Sequence, residues 1–189
     1  MGKVFRTCIV AAVGMAVSSP IAQAQKKASW AWPVAPSHIN YYFFDPKYWQ
    51  EEKDPSKRRQ HLGLDIHASA GDVVSAPVNG RVVTNETSRN VDEAYLVIQD
   101  SSTHEEHVLG HISSNLRPGA DVVRGKPVGS VRLWPGNTHL HWGVNRGSIA
   151  AVSTSSPEGL WGWGRAPVKA TEAQAKARGW VNLNSSGPG

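Results

Sequence analysis

From residue 61 to residue 144 the chain is cut into short runs of β-branched and apolar residues, each bounded by Gly, Pro or Asn. That texture restricts this stretch to strands joined by tight turns. Runs at 72–76, 81–84, 95–100, 106–111, 121–124, 127–131 and 138–144 read as strands, and Asn79-Gly80 marks a tight turn. At such close spacing the sheet is expected to be mostly antiparallel. Within it Gly71-Asp72-Val73-Val74, followed by Ala76-Pro77-Val78 and Gly80, is echoed by Gly119 with Asp121-Val122-Val123, then Lys126-Pro127-Val128 and Gly129. The echo reads either as a duplicated strand-turn-strand unit building a barrel-like sandwich or as generic hairpin chemistry.

Composition supports a turn-rich globular chain. Eighteen Gly, twelve Pro and eight Trp among 189 residues suit a few large apolar anchors among many turns, not a helical bundle. With 40% hydrophobic and 19% charged residues, disorder over the whole length is excluded. Residues 25–60 are expected to be an irregular N-terminal segment and loop, broken by Pro33, Pro36, Pro46 and Pro55. Residues 61–144 form the core, and 145–189 complete the same domain as a long loop over 145–165, a short helix and a frayed tail. Thr171 with Gln174 makes a capping box for that helix, and Gly179 ends it.

The first 24 residues read as a leader. Lys3 and Arg6 precede an uncharged apolar run from 8 to 17, and Ala22-Gln23-Ala24 is a cleavage signal of the A-x-A type. The run is too short to span a bilayer, which needs roughly 20 residues, so an exported protein without stable membrane insertion is expected, periplasmic or extracellular. Cleavage after Ala24 removes Cys8, the sole cysteine, and with it any disulfide or cysteine-based metal site. The formal charge of +5 falls with the loss of Lys3 and Arg6, and the remainder is too weakly basic to argue for nucleic acid. A metal would have to be held by His and carboxylate.

Of the eight His, three groups stand apart. His104-Glu105-Glu106-His107 lacks the second His at i+4 that a helical metalloprotease motif needs, since position 108 is Val. His38, His67 and His104 read as surface or turn residues. His139-Leu140-His141 in a strand puts both imidazoles on one face, with α-carbons roughly 6.6 Å apart and Leu140 pointing to the core. That spacing suits one metal ligand and one neighbour reaching the metal-bound water or the substrate. His61-Leu62-Gly63-Leu64-Asp65 supplies two further donors; fully extended they would stand about 13 Å apart, and Gly63 could bend the chain between them. Two His and one carboxylate with an open fourth position are the composition of a catalytic zinc site.

Taken together, His61-Leu62-Gly63-Leu64-Asp65-Ile66, the stretch from Gly71 to Val82, Gly110-His111-Ile112-Ser113, the stretch from Gly119 to Gly129, and His139-Leu140-His141 resemble the M23 family of zinc peptidases. These are the lysostaphin-like or LytM-type endopeptidases that cut peptidoglycan peptides. The resemblance implies an antiparallel barrel-sandwich with a duplicated hybrid motif, and one Zn2+ held by His61, Asp65 and His141. It implies catalytic roles for His111 and His139 on the water and the developing oxyanion, and peptidoglycan peptides as the partner; the oligomeric state is left open, with a monomer favoured. Two alternatives are a non-catalytic wall-binding or amidase-regulating module of the same fold and a non-haem iron oxygenase. The first usually lacks some zinc residues; the second needs His-x-Asp, present here only reversed as Asp65-Ile66-His67. Departures from the family bear on substrate specificity. His107 and Leu109 replace a common Thr and Tyr, Arg132-Leu133-Trp134-Pro135-Gly136-Asn137 replaces a Gly-rich approach to His139, and no Phe-Gly-Arg leads up to Arg59.

Overall fold

A computed structural model describes residues 30–150 and 162–184. The leader, the start of the irregular segment, residues 151–161 of the long loop and the end of the tail lie outside the described residues. In chain order the elements are β1 (Ile39–Tyr41), α1 (Pro46–Gln50), a 3-10 turn (Pro55–Lys57), β2 (Arg59–His61), β3 (Leu64–His67), β4 (Val73–Ser75), β5 (Gly80–Asn85), β6 (Tyr95–Asp100), β7 (Glu106–Gly110), β8 (Ile112–Ser113), β9 (Asp121–Val122), β10 (Pro127–Val131), β11 (His139–Asn145), β12 (Arg165–Pro167) and α2 (Glu172–Ala177). The seven expected strands are all present, and every pairing among the named strands is antiparallel.

The strands form a seven-stranded sheet in the order β1-β3-β11-β7-β6-β5-β9, a three-stranded sheet β4-β10-β8 and a two-stranded ribbon β12-β2. The expected barrel is therefore not formed. The large sheet ends on β1 at one side and β9 at the other, and these edges do not meet. Both are too short, at three and two residues, to supply the continuous staggered ladder that closure requires. The two echoing segments do meet each other: β4 of the first pairs with β10 of the second, and β5 of the first with β9 of the second. Matching turns tie them, with Gly71 N–H donating to the Val131 carbonyl and Gly119 N–H to that of Val82.

Alternation along the strands sets two apolar layers. Leu140, Trp142 and Val144 of β11 join Leu64, Ile66, Leu96, Ile98 and Leu109 on one face, covered by Val74, Ile112, Val128 and Val131 from the small sheet. Over part of the opposite face, Val97 and Val108 pack with Leu62, Ala175 and Trp180. The C-terminal helix closes this second layer. Its Thr171 hydroxyl accepts from Gln174 N–H while the Gln174 side chain accepts from Thr171 N–H, the reciprocal cap expected from the sequence. The tail beyond it is not frayed as far as it is described: Trp180, Val181 and Leu183 are buried, because their apolar side chains complete the two layers. No helix among the described residues is long and apolar enough to cross a membrane.

Candidate metal centre

The rest of that opposite face is a groove of about 520 Å³, and the register of the sheet decides which side chains enter it. β11 pairs with β3 so that His141 stands opposite Asp65 and His139 opposite His67. Directly opposed residues of an antiparallel ladder project to one face, so His139, His141 and Asp65 share it. On the other flank of β11, Gly110 of β7 faces His141. The next residue, His111, leaves the strand at φ 62°, an unusual backbone for a side chain with a Cβ. Its N–H donates to the Ala94 carbonyl and its own carbonyl accepts from Arg132 N–H, which holds the turn and directs the imidazole into the groove.

His61 arrives from the separate ribbon. Between it and Asp65 the chain passes from β2 into β3 across Leu62-Gly63. Gly63 is required there for space: a Cβ would stand 2.9 Å from the His141 ring and 2.5 Å from the Trp142 carbonyl oxygen. Through this bend His61 Nε2 comes to 3.0 Å from Asp65 Oδ1 and 3.0 Å from His141 Nδ1, and the latter two stand 2.9 Å apart. Ligands at about 2.0–2.1 Å around one tetrahedral zinc stand roughly 3.3 Å from each other. The triangle is therefore close to the separation that one such ion imposes, and these three residues form a buried cluster suited to a metal ion.

The protons fit the same reading. His61 Nδ1 donates to the Tyr42 carbonyl at 2.8 Å, His111 Nδ1 to that of Val91 at 2.7 Å, and His139 Nδ1 to that of Asn137 at 2.7 Å. With Nδ1 so engaged, Nε2 is the atom each ring has left for a metal ion or for proton transfer. The three atoms at the corners, His61 Nε2, Asp65 Oδ1 and His141 Nδ1, are of the types that ligate zinc. His141 Nε2, buried against Gly63 and Gly164, has no hydrogen-bond partner, which leaves Nδ1 as its ligating atom.

Charge is distributed unevenly over the site. Burial alone would raise the Asp65 carboxyl, but the His61 charge and the hydrogen bonds of His139 and His141 hold it well below the usual carboxylate range. Burial pushes His141 down to about 4, and burial together with the neighbouring His139 pushes His111 down to about 3. Burial acts on His139 in the same direction, yet the Asp65 carboxylate outweighs it and His139 is raised.

All five residues expected from the sequence converge here. His38, His67 and His104 are exposed, as expected of surface or turn residues. Sequence reasoning missed the aromatic and cationic walls. Tyr48 stacks on His61 with ring centroids 4.6 Å apart, Trp134 stacks on His139 at 5.8 Å, and Trp163 meets His111 and His141 edge-on at 5.4 Å. Their positions carried no motif signal; the only hint was the concentration of Trp in loops.

Residues 59–153 match the model of Peptidase family M23. Among solved structures, a zinc containing peptidase from Vibrio cholerae is 25% identical, with a TM-score of 0.47 over 60% of this chain and 35% of that one. The structure of CbpA from L. salivarius REN superposes with a TM-score of 0.52 at 16% identity, covering 83% of this chain and 93% of that one, and so shares the fold. The catalytic domain of the antimicrobial peptidase lysostaphin from Staphylococcus simulans is 17% identical, with a TM-score of 0.42 over 62% and 79%. The chain spans about a third of the Vibrio cholerae protein's length. No curated protein matches it significantly. The matched residues run from the ribbon that carries His61 through the strand that carries His141, and on that match the chain belongs to peptidase family M23, with the zinc-metalloendopeptidase-like fold of that family.

Proposed function

We propose that the protein is an exported zinc-dependent endopeptidase that hydrolyses peptide bonds in peptidoglycan stem peptides or cross-bridges. The observation that supports this reading is that His111 and His139, each held by a carbonyl at Nδ1, line one groove with the His61, Asp65 and His141 triangle. His61, Asp65 and His141 would hold the zinc, which supplies Lewis acidity to the scissile carbonyl and to the attacking water. The His111 and His139 rings stand 4.6 Å apart. As neutral bases they take the water's proton when its oxygen bonds to the carbonyl carbon. As acids they return it to the amine when the carbon–nitrogen bond breaks. The Nδ1 carbonyl contacts keep both rings oriented through the cycle.

Three proteins test this: wild type, His111→Ala and His139→Ala, each incubated with purified sacculi, with zinc measured on every sample. New amino termini from wild type, and about 10² or more less from the variants at equal zinc content, are expected. No new termini from fully zinc-loaded wild type across neutral pH and several cross-link types would remove the peptidase reading and leave a wall-binding module. Export is tested separately by intact mass of envelope or medium material, with Gln25 expected as the new amino terminus.

A further inference from the structure

The floor of the groove lies within the residues that match the family model, whereas much of the wall over His61 does not. Tyr48 of α1 stands before residue 59, and Arg165 of β12 stands after residue 153. Arg165 is directly opposite His61 in the two-stranded ribbon, so the two side chains project on the same face. Arg165 lines the groove together with Tyr48, whose ring lies flat against the His61 imidazole at 4.6 Å and 22°. The Arg165 charge is felt at His139. Arg165 is exposed.

The guanidinium is a planar fork that offers five N–H donors. Among the described residues no carboxylate forms an ion pair with Arg165. The acidic side chains on this side of the groove are turned to their own segment: Glu51 accepts from the Tyr41 hydroxyl and Glu52 from Asp54 N–H. Asp92 lies elsewhere along the groove, next to the Val91 carbonyl that holds His111. A planar cation is thus presented to solvent beside the metal centre with no carboxylate partner among the described residues. The shape and charge that complete it are those of a carboxylate.

We propose that Arg165 is a specificity-determining residue that binds a free carboxylate of the peptide substrate on the His61 side of the scissile bond. The proposal rests on the peptidase reading for its substrate and extends it to the chemical class of peptide accepted. Arg165 acts on substrate binding more than on the bond-breaking step.

Soluble peptidoglycan fragments, either native or with their carboxylates converted to primary amides, provide the matched probes. Zinc-loaded wild type is expected to cleave the native fragments about 10-fold or more better in kcat/KM, mainly through KM. Arg165→Gln should bring the native-to-amidated ratio to near one, and Arg165→Lys should recover part of it. Wild type that cleaves both preparations equally overturns the proposal, whatever the variants do. Equal slowing of both preparations by Arg165→Gln, through kcat, also overturns it and assigns Arg165 to the oxyanion or to scaffolding. Equilibrium binding of the same two preparations separates this from the peptidase reading. If nothing is cleaved but native fragments bind better and Arg165→Gln abolishes the preference, the carboxylate site stands and the peptidase falls. If nothing is cleaved and binding shows no preference, both fall.

Discussion

Two histidine-rich stretches lie on adjacent strands of the large sheet and end in opposite environments. His104-Glu105-Glu106-His107 leads into β7, and His139-Leu140-His141 opens β11, the strand paired with it. On β7 the groove-facing positions are 108 and 110, because Gly110 opposes His141 and Val108 opposes Gly143. His107 therefore falls on the core face, where Trp142 Nε1–H donates to its Nδ1 at 3.3 Å and Trp30 meets it edge-on. His139 and His141, on the other face, meet a carboxylate. A difference of one residue in parity separates a packing histidine from one in a cluster suited to a metal ion, and burial alone does not distinguish them, since all three are buried.

The largest break in this comparison is His141→Ala. It removes one corner of the triangle, and loss of bound zinc with a fall in turnover of about 10³ or more is expected, read by elemental analysis beside a sacculus digest. His111→Ala and His139→Ala should cost about 10²–10⁴ in turnover while most of the zinc stays. If zinc is lost from these two variants as it is from His141→Ala, the division between ligands and proton carriers fails. Gly63→Ala would force the His141 ring away from its place, and zinc affinity should fall about 10–100-fold in a chelator competition.

His107 gives a pH-dependent contrast. Burial pushes its pKa down to about 4, so between pH 6.5 and 4 the unfolded chain binds a proton that the folded chain refuses. Its contribution is fully present above pH 6.5 and is lost as the pH falls toward 4, roughly 3 kcal/mol over that window. In metal-free protein, His107→Gln should flatten the decline of the thermal midpoint with acidification, while the His111 and His141 contributions remain. An unchanged decline would show that His107 is charged in the fold. The smallest effect is expected for exposed His104, where His104→Asn keeps a residue tolerant of φ 60°. Stability should move by about 0.5 kcal/mol or less and zinc binding not at all.

Much of this was legible residue by residue. The strands at 95–100 and 127–131 were read with the bounds they have, and the capping box at Thr171 and Gln174 is present with Gly179 ending the helix at φ 88°. The face shared by His139 and His141 followed from strand periodicity alone. Less was legible before residue 61, where β1, α1 and β2 stand in a segment expected to be irregular. These elements are three to five residues long, shorter than a period can reveal. The two strands exist because β1 pairs with β3 and β2 with β12. Sheet closure was misjudged for a related reason: the echo at 71–80 and 119–129 is real as a pairing of segments, but pairing two units leaves the outer edges of the large sheet unspecified.

What the sequence determined by itself is what local geometry controls. Turn residues cut the strands, the i, i+2 spacing put two imidazoles on one face, and the side-chain cap started the last helix. Tertiary structure decided which imidazoles meet a carboxylate and which meet indoles, since that depends on strand neighbours far apart in the chain. It also supplied the carbonyls of Tyr42 and Val91 that hold the Nδ1 atoms of His61 and His111, and brought Arg165 opposite His61. Backbone carbonyls have no residue identity to read, and a cross-strand partner more than a hundred positions away leaves no periodic trace. Those contacts come into being only when folding pairs the strands and removes water from between them.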